Sequence, residues 1–161
     1  MKRQFLIAVC ASALLSVTGC ATQKPFGSFL SGSASAPVDG LAHDVARKMA
    51  ATWLPAKTRV SLQHPTADEF GAALVASLRT QGYSVLEYTP PDKAQAAAPA
   101  ESNAPPPQQT ANEPVAVSYV LDHAGEFYRL KLLAGGQILS RAYVVNAGQF
   151  APAGAWSLLK E

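Results

Sequence analysis

Val115-Ala116-Val117-Ser118-Tyr119-Val120-Leu121 begins the stretch that decides the fold, because the pattern it sets recurs twice before Val145. Val115, Val117, Tyr119 and Leu121 share one face of an extended chain, since successive strand side chains point to opposite sides. Asp122-His123-Ala124-Gly125 reads as a turn, and Tyr128, Leu130 and Leu132 line the next run. Ala134-Gly135-Gly136-Gln137 reads as a hairpin turn before the third run, Ile138 to Val145. Three alternating runs joined by short turns predict an antiparallel meander.

Upstream, the period changes. Leu41, Val45, Met49 and Trp53 recur every fourth residue with Ala42, Ala46 and Ala50 beside them, the spacing of one apolar helix face. Asp39 is placed to cap this helix and Pro55 to end it. Thr58 to Gln63 alternates, with Val60 and Leu62 on one side, and predicts a half-buried strand. Thr66-Ala67-Asp68-Glu69 fits a capping box, in which the Thr66 hydroxyl and the Glu69 carboxylate satisfy each other's backbone N–H groups. The helix it opens carries Phe70, Ala73, Leu74, Ser77 and Leu78 on one side, closes at Gly82, and leads into a strand over Tyr83 to Tyr88. The expected fold is α+β, with two helices packed on a mixed or antiparallel sheet of about five strands.

Between Thr89 and Pro114 lie seven of the chain's twelve prolines together with seven alanines. Such a segment buries too little apolar surface to offset its ordering entropy, so 89–114 reads as a disordered Pro/Ala-rich insertion. A linker between two domains is the rival reading, but each half is too small to hold a core alone. One small domain over 39–161, interrupted by the insertion, is expected.

The amino-terminal end is organised differently. Lys2 and Arg3 precede an apolar run from Phe5 to Val17 that is too short to span a membrane stably, and Val17-Thr18-Gly19-Cys20 closes it. This pattern resembles the lipobox of bacterial lipoproteins and implies cleavage before Cys20, a diacylglyceryl thioether on its sulfur and an acyl chain on its amine. Several chains anchor stably, at about 0.8 kcal/mol per buried methylene. Ala21, where an Asp would favour inner-membrane retention, points to the outer membrane. The alternative is an ordinary secretory signal cut near Ala21. Residues 1–19 are thus read as a signal peptide and 20–38, rich in Ser, Gly and Ala, as the lipidated cysteine and a flexible tether with a reach of roughly 20 to 25 Å. Phe26, Phe29 and Leu30 are its large apolar residues, either incidental to it or a short motif that docks on a partner.

Removing residues 1–19 from 161 leaves 142, and removing Lys2 and Arg3 turns 13 Lys plus Arg against 11 Asp plus Glu into 11 against 11. A neutral chain lacks the electrostatic footprint of a nucleic-acid binder, so no direct nucleic-acid contact is expected. Cys10 lies in the signal and Cys20 carries the lipid, which leaves no thiol for a disulfide.

No catalytic residue and no metal site emerges. His43, His64 and His123 share no ligand spacing, and neither HExxH nor paired CxxC is present. Asp122-His123 has no nucleophile elbow to serve. Gly135-Gly136 opens no helix that could hold a phosphate, and Asp68-Glu69 is accounted for by the first turn of a helix. Arg129, Lys131 and Arg141 are expected on polar strand faces. Trp156, in a Gly/Pro-rich tail, either covers the open end of the sheet or anchors a partner.

The lipobox-like run, the chain length, the Ala- and Gly-rich start and the closing block, Gly136-Gln137-Ile138-Leu139-Ser140-Arg141-Ala142-Tyr143 through Ala151-Pro152-Ala153-Gly154-Ala155-Trp156-Ser157, together resemble the TrbH family of conjugal transfer lipoproteins. The resemblance implies a non-enzymatic component of a type IV secretion, or mating-pair formation, apparatus. Such a component sits on the periplasmic face of the outer membrane, and its partners are the outer-membrane core proteins. It implies no cofactor beyond the covalent lipid on Cys20. An envelope-binding lipoprotein that reaches peptidoglycan or regulates a cell-wall enzyme is the alternative.

Overall fold

The computed structural model describes residues 26–30, 36–90 and 113–160; Cys20, the signal peptide and residues 91–112 of the insertion lie outside the described residues. In chain order the elements are β1 (Gly27–Ser28), α1 (Asp39–Thr52), a 3₁₀ turn (Pro55–Lys57), β2 (Arg59–Leu62), α2 (Glu69–Thr80), β3 (Ser84–Leu86), β4 (Val115–Ala124), β5 (Phe127–Ala134), β6 (Gln137–Asn146), β7 (Gln149–Pro152) and β8 (Ser157–Lys160).

The three alternating runs form the meander β4-β5-β6. Val117 lies opposite Ala134, Tyr119 opposite Leu132 and Leu121 opposite Leu130, and Leu132 in turn lies opposite Leu139. This register collects the apolar residues of all three strands on one face, where a slip of one position would turn them out. At Gly135 and Gly136, φ is 53° and 71°, which only a two-residue turn with both central residues left-handed requires. The first turn falls later than Asp122–Gly125. Asp122 and His123 are strand residues paired with Arg129 and Tyr128, and Gly125, with φ 63°, takes the strained position. A bidentate pair between Asp122 and the Arg129 Nε and Nη2, at 2.7 and 2.9 Å, holds the strand ends together.

The sheet is mixed and larger than the sequence pattern announces: eight strands among the described residues, with β3-β2-β4-β5-β6-β7 in line, β1 also on β4 and β8 also on β6. β1 and β2 run parallel to β4, and β3 runs parallel to β2. The long strands β4 and β6 each share an outer edge between two short ones. β2 and β1 divide the edge of β4, and β8 and β7 divide that of β6.

Both helices pack on one face. Leu41, Val45 and Met49 of α1 and Phe70, Leu74 and Leu78 of α2 are fully buried against Val60, Leu62, Val117, Tyr119, Leu121, Leu130, Leu132, Leu139 and Tyr143. Each such aliphatic side chain contributes roughly 1.5–3 kcal/mol.

The helix ends depart from expectation at two caps. Val38 occupies the cap position of α1, and Asp39 is its first helical residue, where its charge still favours the amino-terminal dipole. Asp68 caps α2 in place of Thr66, its Oδ1 accepting the Gly71 N–H at 2.9 Å. A carboxylate is the stronger acceptor, and Gly71 lets the incoming chain cross closely, since a Cβ there would meet the Thr66 Cα at 2.9 Å. Gly82 closes α2 as expected. Its N–H donates to the Arg79 carbonyl, and the Tyr83 N–H donates to the Leu78 carbonyl, the double bond pattern of a Schellman motif.

Candidate partner-binding site

Two arms flank the meander, and they carry the residues singled out for partner contact. The amino-terminal arm lies within the segment read as tether. Gly27 and Ser28 lie opposite Val120 and Leu121 of β4, and the Phe29 N–H donates to the Leu121 carbonyl at 2.8 Å. Between β2, which ends opposite Val117, and β1, which begins opposite Val120, the Tyr119 N–H faces a gap in the ladder. His64 fills it: its Nε2 accepts the Tyr119 N–H at 3.2 Å.

His64 Nδ1 lies 3.0 Å from the Pro65 carbonyl. A carbonyl only accepts, so Nδ1 carries the proton, Nε2 is bare and the ring is neutral. Burial pushes the His64 pKa below its ordinary 6.5, against the opposing pull of the Pro65 carbonyl and Asp68. Phe26 stacks on the imidazole at 5.8 Å and Tyr119 meets it edge-on at 4.5 Å. The Tyr119 hydroxyl donates to Asp68 Oδ2 at 2.6 Å, so one carboxylate caps α2 and orients the tyrosine. Burial first, and then the Asp68 bond, push that phenol far above its ordinary value.

The carboxy-terminal arm is fastened by a part-buried ion pair. Arg141 lies opposite Leu130, which puts it on the helix face, away from Arg129 and Lys131 and not on the polar face expected for it. Its Nη1 donates to Asp44 Oδ2 at 2.8 Å, and its Nε donates to the Gly154 carbonyl at 2.8 Å. Tyr143 donates its hydroxyl to the same Asp44 oxygen, and Arg47 Nη2 reaches Oδ1, each at 2.8 Å. Burial alone would raise the Asp44 pKa, but the Tyr143 hydroxyl and the two guanidiniums outweigh it and hold the carboxyl below its ordinary 3.8. The Arg141 guanidinium also lies over the rings of Tyr143 and Trp156, at 5.8 and 5.7 Å. Trp156 packs partly buried against the core, and the chain leaves it as β8.

The three partner-contact candidates therefore occupy two surfaces. Phe26 and Phe29 flank β1 at the β4 edge, Trp156 precedes β8 at the β6 edge, and β5 lies between. Phe26 is half-buried on His64, whereas Phe29 is 46% exposed. His43 and His123 are exposed, and among the described residues no group of three or more His, Cys, Asp or Glu is placed to hold a metal ion. No helix among the described residues is long and apolar enough to cross a membrane.

These features describe a small α+β module whose two terminal arms are built into its sheet. The chain belongs to the TrbH family: the model of conjugal transfer protein TrbH matches residues 23–161. No curated protein and no solved structure matches the chain.

Proposed function

We propose that this chain is a non-catalytic lipoprotein of a conjugative type IV secretion apparatus, anchored in the outer membrane through lipid on Cys20 and stabilising the core complex on the periplasmic face. The observation that carries the reading is the family match over residues 23–161. The anchor rests on Val17-Thr18-Gly19-Cys20 after the short apolar run, which stands just ahead of the matched region. With β1 starting at Gly27, only a short stretch separates Cys20 from the sheet, so the module is held close to the bilayer.

The α+β module contributes contact surface, with Phe29 on one edge of the sheet and the Trp156–β8 arm on the other. The test is affinity purification of the full chain from mating cells. Ring-forming core proteins recovered in stoichiometric amounts support the proposal. Recovery of peptidoglycan with no core protein overturns it in favour of a cell-wall role.

A further inference from the structure

The outer strands of the sheet are not equally protected. β1 and β3 lie against α2, and β7 lies against α1. β3 is followed by Glu87, ion-paired with Arg79 at 2.6 Å, and β7 ends in Pro152. Helix cover, charge and proline are the usual devices that keep an edge from pairing with another chain. β8 has no proline and a single charge, Lys160 at its end: Ser157, Leu158, Leu159 and Lys160 are all exposed, with Leu158 at 50% and Leu159 at 62%.

The register shows which backbone groups of β8 are free. The two-residue turn at Gly135-Gly136 makes Ala134 and Gln137 a hydrogen-bonded pair, so the backbone of Gln137 points to β5 and that of Ile138 points to β8. Leu159 lies opposite Ile138 and Ser157 opposite Ser140, so these two residues spend their backbone groups on β6. Leu158 and Lys160 therefore turn their N–H and C=O outward, into the geometry that an added strand satisfies.

The side chains extend two existing rows. Leu159 continues Leu133 and Ile138 on the face away from the helices, and Leu158 continues Leu132 and Leu139 on the helix face. Lys160 has no ion pair among the described residues. We propose that the free edge of β8 takes an extended segment of a partner protein as a further β-strand, apolar on both faces and carrying a carboxylate beside Lys160.

A second copy of β8 fits less well. Pairing two four-residue strands falls short of the roughly 1,200 Å² of a stable interface and brings two like ammonium groups to one face. A separate segment brings its own length and the complementary charge.

The proposal rests on the reading that the chain works inside an envelope assembly, and two measurements separate the two ideas. Amide exchange is followed in the full chain alone and in the assembly extracted from mating cells. In the isolated chain the Ser157 and Leu159 amides are protected and those of Leu158 and Lys160 exchange freely, whereas in the assembly all four are protected. Equally fast exchange of Leu158 and Lys160 in both samples overturns the proposal. Protection that appears in the isolated chain as its concentration rises also overturns it, in favour of self-pairing.

The second measurement uses Leu158→Pro, which removes an outward N–H and leaves the bonds to β6 in place. This variant is expected to keep its membrane fractionation and its thermal midpoint while plasmid transfer falls at least tenfold. Transfer at the parental rate overturns the proposal whether or not an assembly is recovered, and leaves the anchoring role of Cys20 to its own test.

Discussion

Arg141 Nη1 lies 2.8 Å from Asp44 Oδ2 across the interface between β6 and α1, with the two side chains 18% and 10% exposed. The same guanidinium holds the Gly154 carbonyl, so one ion pair joins the first helix, the last long strand and the arm that leads to β8.

Breaking that pair from one side strands a charge in the interface. Asp44→Asn is expected to cost about 3 kcal/mol in urea unfolding. The triple change Asp44→Leu, Arg141→Met and Tyr143→Phe, which removes both charges and the buried hydroxyl that would otherwise lose its acceptor, is expected to recover most of that loss. The Asp44 pKa is depressed in the folded state, so its contribution is present above pH 3.8 and is lost as pH falls through the lower folded value. An acid titration of stability in which Asp44→Asn keeps the full parental slope below pH 3.8 would contradict this.

His64 predicts a second pH dependence. Its folded pKa is depressed below 6.5, so the unfolded chain takes up a proton first as pH drops, and stability falls from pH 6.5 down to the folded value. The slope reaches at most about 1.4 kcal/mol per pH unit for one group. His64→Gln, whose amide oxygen can still accept the Tyr119 N–H, is expected to remove that slope. Urea midpoints measured across this range for both proteins provide the check.

Tyr119→Phe removes the hydroxyl that donates to Asp68 and leaves the ring packing against Phe70, at 4.9 Å between centroids. The expected loss is about 2 kcal/mol, the range of a hydrogen bond to a charged group. A loss below a few tenths would mean that water replaces the hydroxyl at Asp68.

Gly71→Ala should be costlier than an exposed glycine-to-alanine change, which usually stabilises a helix. The added methyl meets the Tyr119 hydroxyl and the Thr66 backbone, a clash worth about 1–3 kcal/mol. Gly40→Ala, with open space around it in α1, is the control expected to be neutral or stabilising. A thermal midpoint for Gly71→Ala at or above that of Gly40→Ala would contradict the close crossing.

The helices and the meander were legible because their signals are local: the four-residue spacing of Leu41, Val45 and Met49, and the alternation from Val115 to Val145. The Asp44–Arg141 pair was not, since its partners stand 97 positions apart. Asp44 interrupts an otherwise apolar helix face, but Arg47 three residues on offers it a local partner, so nothing in the sequence points to the distant one. β1, β7 and β8 have two to four residues, too few to establish a period, and they sit in Ser-, Gly- and Pro-rich sequence. The role of His64 is not legible in the sequence, because it depends on a gap in the ladder that exists only once β1 and β2 are both in place.

Lipid on Cys20, as proposed above, would fix this module to the outer membrane in the service of conjugation. Cys20→Ser tests it in one strain by following both membrane fractionation of the chain and plasmid transfer. The variant is expected to be lost from the outer-membrane fraction, with transfer collapsing alongside it. A variant that leaves the membrane while transfer continues at the parental rate would contradict it.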